Sequence, residues 1–297
     1  MKKSLCLVMS LLLMLSLSVV GCESDRTQPI PKGKSLLQFK QSSLALGVLD
    51  ADEWLEIPII ANEVAVGDIS FAVEVDYATS SAIEGLHYTM ESNALVLKKG
   101  AKSCAVRLKC NPDAFEINEV VELKLSLLLD EKYVNHQIMK PCVVKLQRCC
   151  PFEINNFVGY CKMTSSWAMQ YMGVDALLVR TERDPDCETG IIVNDFYYEG
   201  YDLRLKLHAE NRLEPIVEMA DAVVIGSTGE AFGTIYGNGK LMMKTPEGYV
   251  SYYGTCENFL VLYGHIYVEE VGDVGAYVNI LEWISDDEAE RIMREGF

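Results

Sequence analysis

The sequence predicts an all-β protein: two β-sandwich or partial-barrel domains in tandem, closed by a short C-terminal helix. Three observations predict it. Short runs alternate apolar and polar residues at period two, as strands with one buried face do. Gly, Asn, Asp or Pro separates the runs at nearly regular intervals, the punctuation of an antiparallel meander. A break at Cys149-Cys150-Pro151 divides the runs into two groups, and 297 residues suit two domains of ordinary size.

The chain opens Met1-Lys2-Lys3 and enters an apolar stretch over residues 5–15, a charged n-region followed by a signal h-region. The stretch is shorter than the roughly 20 residues that a spanning helix needs. Val19-Val20-Gly21-Cys22 then resembles the bacterial lipobox, with an aliphatic residue, a tolerant position, a small residue and a cysteine. That resemblance implies cleavage after Gly21 and a diacylglycerol on Cys22, because a small side chain suits the peptidase and only a thiol forms the thioether. Acyl chains add about 0.8 kcal/mol per buried methylene, so the partner at this end is the membrane, held through lipid. Residues 23–34, with Pro29, Pro31 and Gly33, read as an extended linker. Glu23 and Asp25 resemble the export signal of Bacteroidetes-type lipoproteins, which implies an outer-membrane anchor at the cell surface, with the periplasmic face as the alternative. The expected organisation is therefore a signal peptide over 1–21, a linker over 22–34, a first domain over 35–150 and a second over 151–297.

In the first domain, strands are expected over residues 55–60, 69–75, 94–97, 104–110, 120–128 and 142–146. Pro58 lacks a donor, which puts its run at a sheet edge or makes Pro58 one of the run's first residues. Cys104, Cys110 and Cys142 fall on apolar strand faces and read as small core residues with free thiols. The other pairings stay open. No CxxC occurs, so no zinc site is expected. The segments Ser81-Ala82-Ile83-Glu84-Gly85-Leu86-His87-Tyr88-Thr89, 95–103 and 111–123 resemble, in that order, the Calx-beta type of sandwich. Some members of that family bind calcium, which makes Glu84, Asp113, Glu116 and Glu119 the candidate ligands. His87 departs from the aspartate usual there, and a nitrogen ligand suits calcium poorly. The competing reading is four solvated loop carboxylates.

In the second domain, strands are expected over residues 176–180, 190–194, 203–207, 232–236, 240–244, 259–263 and 276–280, with Gly237-Asn238-Gly239 as a hairpin turn. Ser285-Asp286-Asp287-Glu288 is a capping-box pattern, so a helix should run to about Glu295 with Ile292 and Met293 on one side. The order of an aromatic-Val-Gly-Tyr start, paired strands, a Gly-rich turn and a late cysteine strand resembles the C-terminal β domains of Bacteroidetes surface lipoproteins of unknown function. Such proteins are associated with glycan capture or adhesion, which is what the resemblance implies.

Removing residues 1–21 leaves 24 basic against 43 acidic residues, a net charge of −19, which disfavours nucleic acid as a partner. Catalytic patterns are missing. Gly226-Ser227-Thr228-Gly229 is not GxSxG and reads as a hairpin loop, and Gly237 and Gly239 begin a GxG with Met242 in the third place. His87, His136, His208 and His265 are isolated, no cofactor is implied, and the chain reads as a non-enzyme. Paired carboxylates of a glycan hydrolase are defined only in space and stay as an alternative. Two tyrosine clusters, Phe196-Tyr197-Tyr198-Glu199-Gly200-Tyr201-Asp202 and Tyr249-Val250-Ser251-Tyr252-Tyr253-Gly254, offer rings that could stack on sugars, with Tyr198, Tyr201, Tyr249 and Tyr253 as candidates. In adjacent pairs, strand alternation turns one ring inward. The expected function is a non-catalytic, lipid-anchored envelope protein, a binding or adhesion module for a glycan or for an envelope or host protein. A purely structural lipoprotein is the competing class.

Overall fold

The computed structural model describes residues 36–133 and 140–297. Gly21, Cys22, the linker to residue 34 and His136 lie outside the described residues. The described chain is almost wholly β, as expected.

The first group of runs forms two sheets. One has the order β1 (Leu37–Phe39), β3 (Trp54–Ala61), β7 (Ser103–Cys110), β5 (Tyr88–Met90). The other has the order β2 (Ser43–Val48), β9 (Cys142–Arg148), β8 (Val120–Leu128), β4 (Ile69–Val75), β6 (Ala94–Leu97). Period-two alternation does the sorting: Ile57, Ile59, Val106 and Leu108 from one sheet share a core with Leu123, Leu125, Val144 and Leu146 from the other, all fully buried. Each such side chain contributes about 1.5–3 kcal/mol. Cys110 and Cys142 are buried in this core and Cys104 packs against it, all three as free thiols. Burial pushes Cys110 up to about 12 and Cys142 up to about 11, so both stay protonated.

Pro58 is the first departure. Its strand, β3, is not an edge but lies between β1 and β7. The proline is accommodated because β1 ends at Phe39, opposite Ile59, and Lys40 then donates its N–H to the Pro58 carbonyl at 2.9 Å. The missing donor thus faces the point where the neighbouring strand leaves the sheet.

The second group has ten strands: β10 (Gly159–Ser165), β11 (Ala176–Arg183), β12 (Gly190–Asn194), β13 (Leu203–His208), β14 (Ile216–Met219), β15 (Val223–Ser227), β16 (Lys240–Lys244), β17 (Ser251–Gly254), β18 (Phe259–Val268) and β19 (Gly272–Trp283). Eight of them close a barrel in the order β10-β11-β12-β13-β14-β17-β18-β19, with β19 pairing back to β10 through Cys161↔Trp283 to Ser165↔Asn279. The far half of β18 pairs with β16, and β16 with β15, so these two form an arm. Side chains fill the barrel: Met163, Ile191, Val193, Leu205, Leu260, Leu262 and Leu281 are fully or almost fully buried. Tyr197 is paired inside, since its hydroxyl donates to Asn279 Oδ1 at 2.6 Å and accepts from Ser165 Oγ at 3.3 Å, whereas the buried Trp167 Nε1 has no partner.

Four expectations for this half are corrected. Residues 232–236 are not a strand; Thr228–Phe232 is a helix, α1, followed by a loop. Gly226-Ser227-Thr228-Gly229 is not a hairpin loop but the junction of β15 with α1, where Ser227 Oγ accepts from Glu230 N at 3.1 Å and the Glu230 carboxylate returns to Ser227 N at the same distance. A capping box explains it. The Gly237-Asn238-Gly239 turn accordingly leads from a loop into β16, rather than joining two strands. The C-terminal helix, α2 (Asp286–Glu295), forms as expected with Ser285 Oγ accepting from Glu288 N, but its buried side is Ala289 and Ile292 while Met293 is exposed.

Sandwich and barrel meet at a covalent joint. Cys150 is bonded to Cys256 in the turn between β17 and β18, while Cys149, Cys161 and Cys187, whose pairing the spacing also left open, are free thiols. Beside the disulfide, Cys149 Sγ lies 3.6 Å from the Arg212 carbonyl, and Arg212 pairs with Glu53 at 2.8 Å.

Candidate ligand-binding face

The four candidate tyrosines part company in the structure. Tyr253 is corrected: its ring points into the barrel at 2 % exposure, its hydroxyl donates to the His208 carbonyl at 3.0 Å, and burial pushes its pKa up to about 12. It is core. Tyr198 and Tyr201 sit in the turn between β12 and β13, both half-buried. That turn is shaped by Asp195 at φ 49°, whose carboxylate accepts from Gly200 N at 2.6 Å. The Tyr198 ring packs against Gly226, where an added Cβ would come within 2.5 Å of it. Tyr249 is exposed at 53 % and its ring centroid is 5.1 Å from that of Tyr263.

Tyr249 belongs to a larger face that the sequence did not reveal. Alternation turns Tyr252 outward at 41 % exposure. In register, Ile216 on β14 faces Tyr252 on β17, Tyr252 faces Val261 on β18, and Val261 faces Ile280 on β19. Four strands therefore carry one apolar row across the outside of the barrel, exposed at Ile216 and Tyr252 and covered at Val261, which is 6 % exposed. Tyr263, two residues along β18 and facing Val278, extends it toward Tyr249. The Phe259 ring meets Tyr252 edge-on at 6.2 Å on the other side. The exposed rings of Tyr252 on this row and of Tyr249 beside it suit stacking against another apolar surface.

Polar groups border the row. His208, opposite Ile216, is held between two carboxylates, with Nδ1 2.8 Å from Glu210 and Nε2 2.6 Å from Glu218. Those two hydrogen bonds raise its pKa above the usual histidine range. Beyond it a groove of about 550 Å³ runs along β13 and β14, lined among others by Asp202, Arg204, Lys206 and Glu218. Asp184 orders its rim by pairing with Arg204 at 2.9 Å. Aromatic rings beside groups that donate and accept are the chemistry of polyol recognition.

The other candidates lie elsewhere. Glu84 accepts from the Tyr77 hydroxyl at 2.7 Å, Asp113 is 3.9 Å from Arg148, and Glu119 accepts from Glu116 N at 2.9 Å. Among the described residues no three His, Cys, Asp or Glu side chains gather as metal ligands. His87 is buried and its Nδ1 accepts from Ile83 N at 2.9 Å, so it shapes the turn in which Glu84 sits. Ser227 Oγ donates to Glu230 at 2.6 Å and is committed to its helix cap. Among the described residues no helix is long and apolar enough to cross a membrane.

Residues 139–295 match the family described as Domain of unknown function (DUF4984), which spans more than half of the chain. Comparison with curated proteins returns no match. Among solved structures, the chain is similar to a protein of unknown function from Bacteroides ovatus at 9 % identity and TM-score 0.35, over 84 % of this chain and 90 % of that one. It is similar to the apo form of the Calx CBD1 domain at 14 % identity and TM-score 0.32, over 39 % of this chain and 98 % of that one. An auxiliary nutrient binding protein from Bacteroides thetaiotaomicron VPI-5482 matches at 13 % identity and TM-score 0.28, over 81 % of this chain and 90 % of that one. Likeness at this level carries no argument about ligand or activity.

Proposed function

This chain belongs to the DUF4984 family, and from that premise we propose that it is a non-catalytic binding module of the cell envelope that takes a glycan on the tyrosine row of its barrel. The observation that supports this reading is the in-register row Ile216–Tyr252–Val261–Ile280, with Tyr249 and Tyr263 above it and a charged groove beside it. Sugar rings have one apolar face and a rim of hydroxyls, which matches aromatic rings bordered by donors and acceptors. A glycan array followed by titration calorimetry tests the reading. Binding of a defined oligosaccharide is expected, and binding of envelope proteins but no glycan would replace the glycan with a protein partner.

The same proposal places the module on a lipid at Cys22, at the surface of the outer membrane, with residues 22–34 as its tether and residues 35–150 and 151–297 as its two domains. Acyl labelling in cells tests the tether. Labelled wild-type protein and an unlabelled, released Cys22→Ser variant are expected, and lipid that persists on that variant would refute the anchor.

A further inference from the structure

At one end of the sandwich, two connections between its sheets are tied into a single tip. Residues 62–68 lead from β3 to β4, and residues 98–102 lead from β6 to β7. Ala65 N donates to the Ala101 carbonyl at 2.9 Å, Gly100 N donates to the Ala65 carbonyl at 2.8 Å, and Lys99 N donates to the Asp68 carboxylate at 2.8 Å. Gly100, at φ 83°, supplies the left-handed residue that this turn requires. Ala65 is 2 % exposed and belongs to the sandwich core, so its neighbours on either side stand out of the surface: Val64 is 53 % exposed and Val66 89 %. No other large apolar residue among the described ones is as exposed as Val66.

Two independent features say what meets this tip. The first is charge. Lys98, Lys99 and Lys102 stand on it against Glu63 and Asp68, whereas the whole chain has 26 basic and 43 acidic residues. Asp68 is occupied by Lys98 at 3.1 Å, and Lys99 and Lys102 are exposed with no carboxylate partner among the described residues. The second is where the chain enters. Leu36 N donates to Asn62 Oδ1 at 2.5 Å and the Leu36 carbonyl accepts from Asn62 N at 3.2 Å, so the first described residue is fastened to the tip itself. Thirteen residues separate Leu36 from Cys22, a contour of at most about 50 Å. From Arg26 to Leu49 the sequence has four basic residues, Arg26, Lys32, Lys34 and Lys40, and no acidic one. Exposed valines flanked by lysines suit a surface that is rich in phosphate outside and apolar beneath.

We infer that this tip is a membrane-docking surface: Val64 and Val66 enter the bilayer in which the chain's own lipid sits, and Lys99 and Lys102 pair with its phosphates. The inference rests on the lipid anchor proposed at Cys22 and adds an orientation to it. A lipid on Cys22 holds the chain near the bilayer whichever way the sandwich turns. Two valines are too little apolar surface to hold the protein there alone, so the tip is a second, weaker signal that orients a chain already delivered by its lipid.

The test holds the chain from Glu23 onward, which keeps every described residue, on vesicles through an N-terminal histidine tag. The vesicles are phosphatidylethanolamine and phosphatidylglycerol with brominated acyl chains and a nickel-chelating lipid. The tag imposes a tether at the same end, so docking is read whether or not Cys22 is acylated, and acyl labelling in cells decides the anchor separately. Bromine quenches only rings that reach the acyl chains, so Val66→Trp should lose about half or more of the emission that it adds to that of Trp54, Trp167 and Trp283. Tyr77→Trp, at an exposed position beyond the far end of β4 and about 20 Å of strand away, should lose none. Lys99→Glu/Lys102→Glu should cut the quenching of Val66→Trp about twofold or more with Tm unchanged, since both lysines are exposed, and added salt should act the same way by screening. Unquenched Val66→Trp, equal quenching of Val66→Trp and Tyr77→Trp, or quenching that survives the charge reversal would overturn the inference.

Discussion

Tyr252 and Tyr253 carry the same ring one residue apart, and strand alternation sends the first outward at 41 % exposure and the second into the core at 2 %. The sequence makes it legible that one of the two is inside. Which one is not legible, because β17 is only four residues long and Ser251 and Gly254 offer no apolar partner to set its parity. Tyr198 was obscured for a different reason: it sits in a turn held by Asp195 and Gly200, where alternation does not apply. His208 shows the same limit, since its two carboxylate partners, two and ten residues away, come together only through the pairing of β13 with β14. A histidine with a raised folded-state pKa adds stability that is complete below its unfolded value near 6.5 and is lost as pH rises through the folded value. Tm of the wild type should therefore fall relative to that of His208→Gln as pH rises above about 6.5, with the largest difference on the acid side of that window. Parallel profiles for the two proteins would show that the carboxylate clamp does not act on stability.

At the scale of elements, the long alternating runs were legible and the short, irregular pieces were not. Strands β4, β7 and β8 lie within a residue of where period two puts them, because each buries every second side chain in one core. The Phe232–Tyr236 stretch has strand-like composition, yet Ser227 and Glu230 cap a helix just before it. Local capping outweighed propensity there. Ser227→Ala removes that cap and should cost about 1 kcal/mol in denaturant unfolding, whereas Ser70→Ala, on the exposed side of β4, should change little. The joint is likewise invisible to spacing, since eight cysteines beyond Cys6 and Cys22 allow many pairings. Its disulfide spans 106 residues and ties the end of β9 to the β17–β18 turn. A Cys150→Ala/Cys256→Ala variant should lose about 2–4 kcal/mol of stability. An unchanged denaturation midpoint would mean that the Glu53–Arg212 pair and the packing of Cys149 hold the joint without it.

For the whole molecule, the all-β class followed from punctuation and alternation, but closure of the second sheet into a barrel did not. Closure depends on β19 pairing with both β18 and β10, contacts about 15 and 120 residues apart in sequence that no local pattern encodes. The same closure assembles the candidate face, because the row Ile216–Tyr252–Val261–Ile280 exists only once four strands stand in register around the barrel. A filled barrel interior leaves the outer surface as the place for recognition, and the face lies on rigid strands rather than on loops. The most direct test of that claim is calorimetric titration of the array-selected glycan into wild type and into Tyr249→Ala/Tyr252→Ala. Both substitutions are at exposed rings, so Tm should stay within a few degrees while affinity falls about tenfold or more. Full-strength glycan binding by the folded double variant would contradict the tyrosine row as the ligand face.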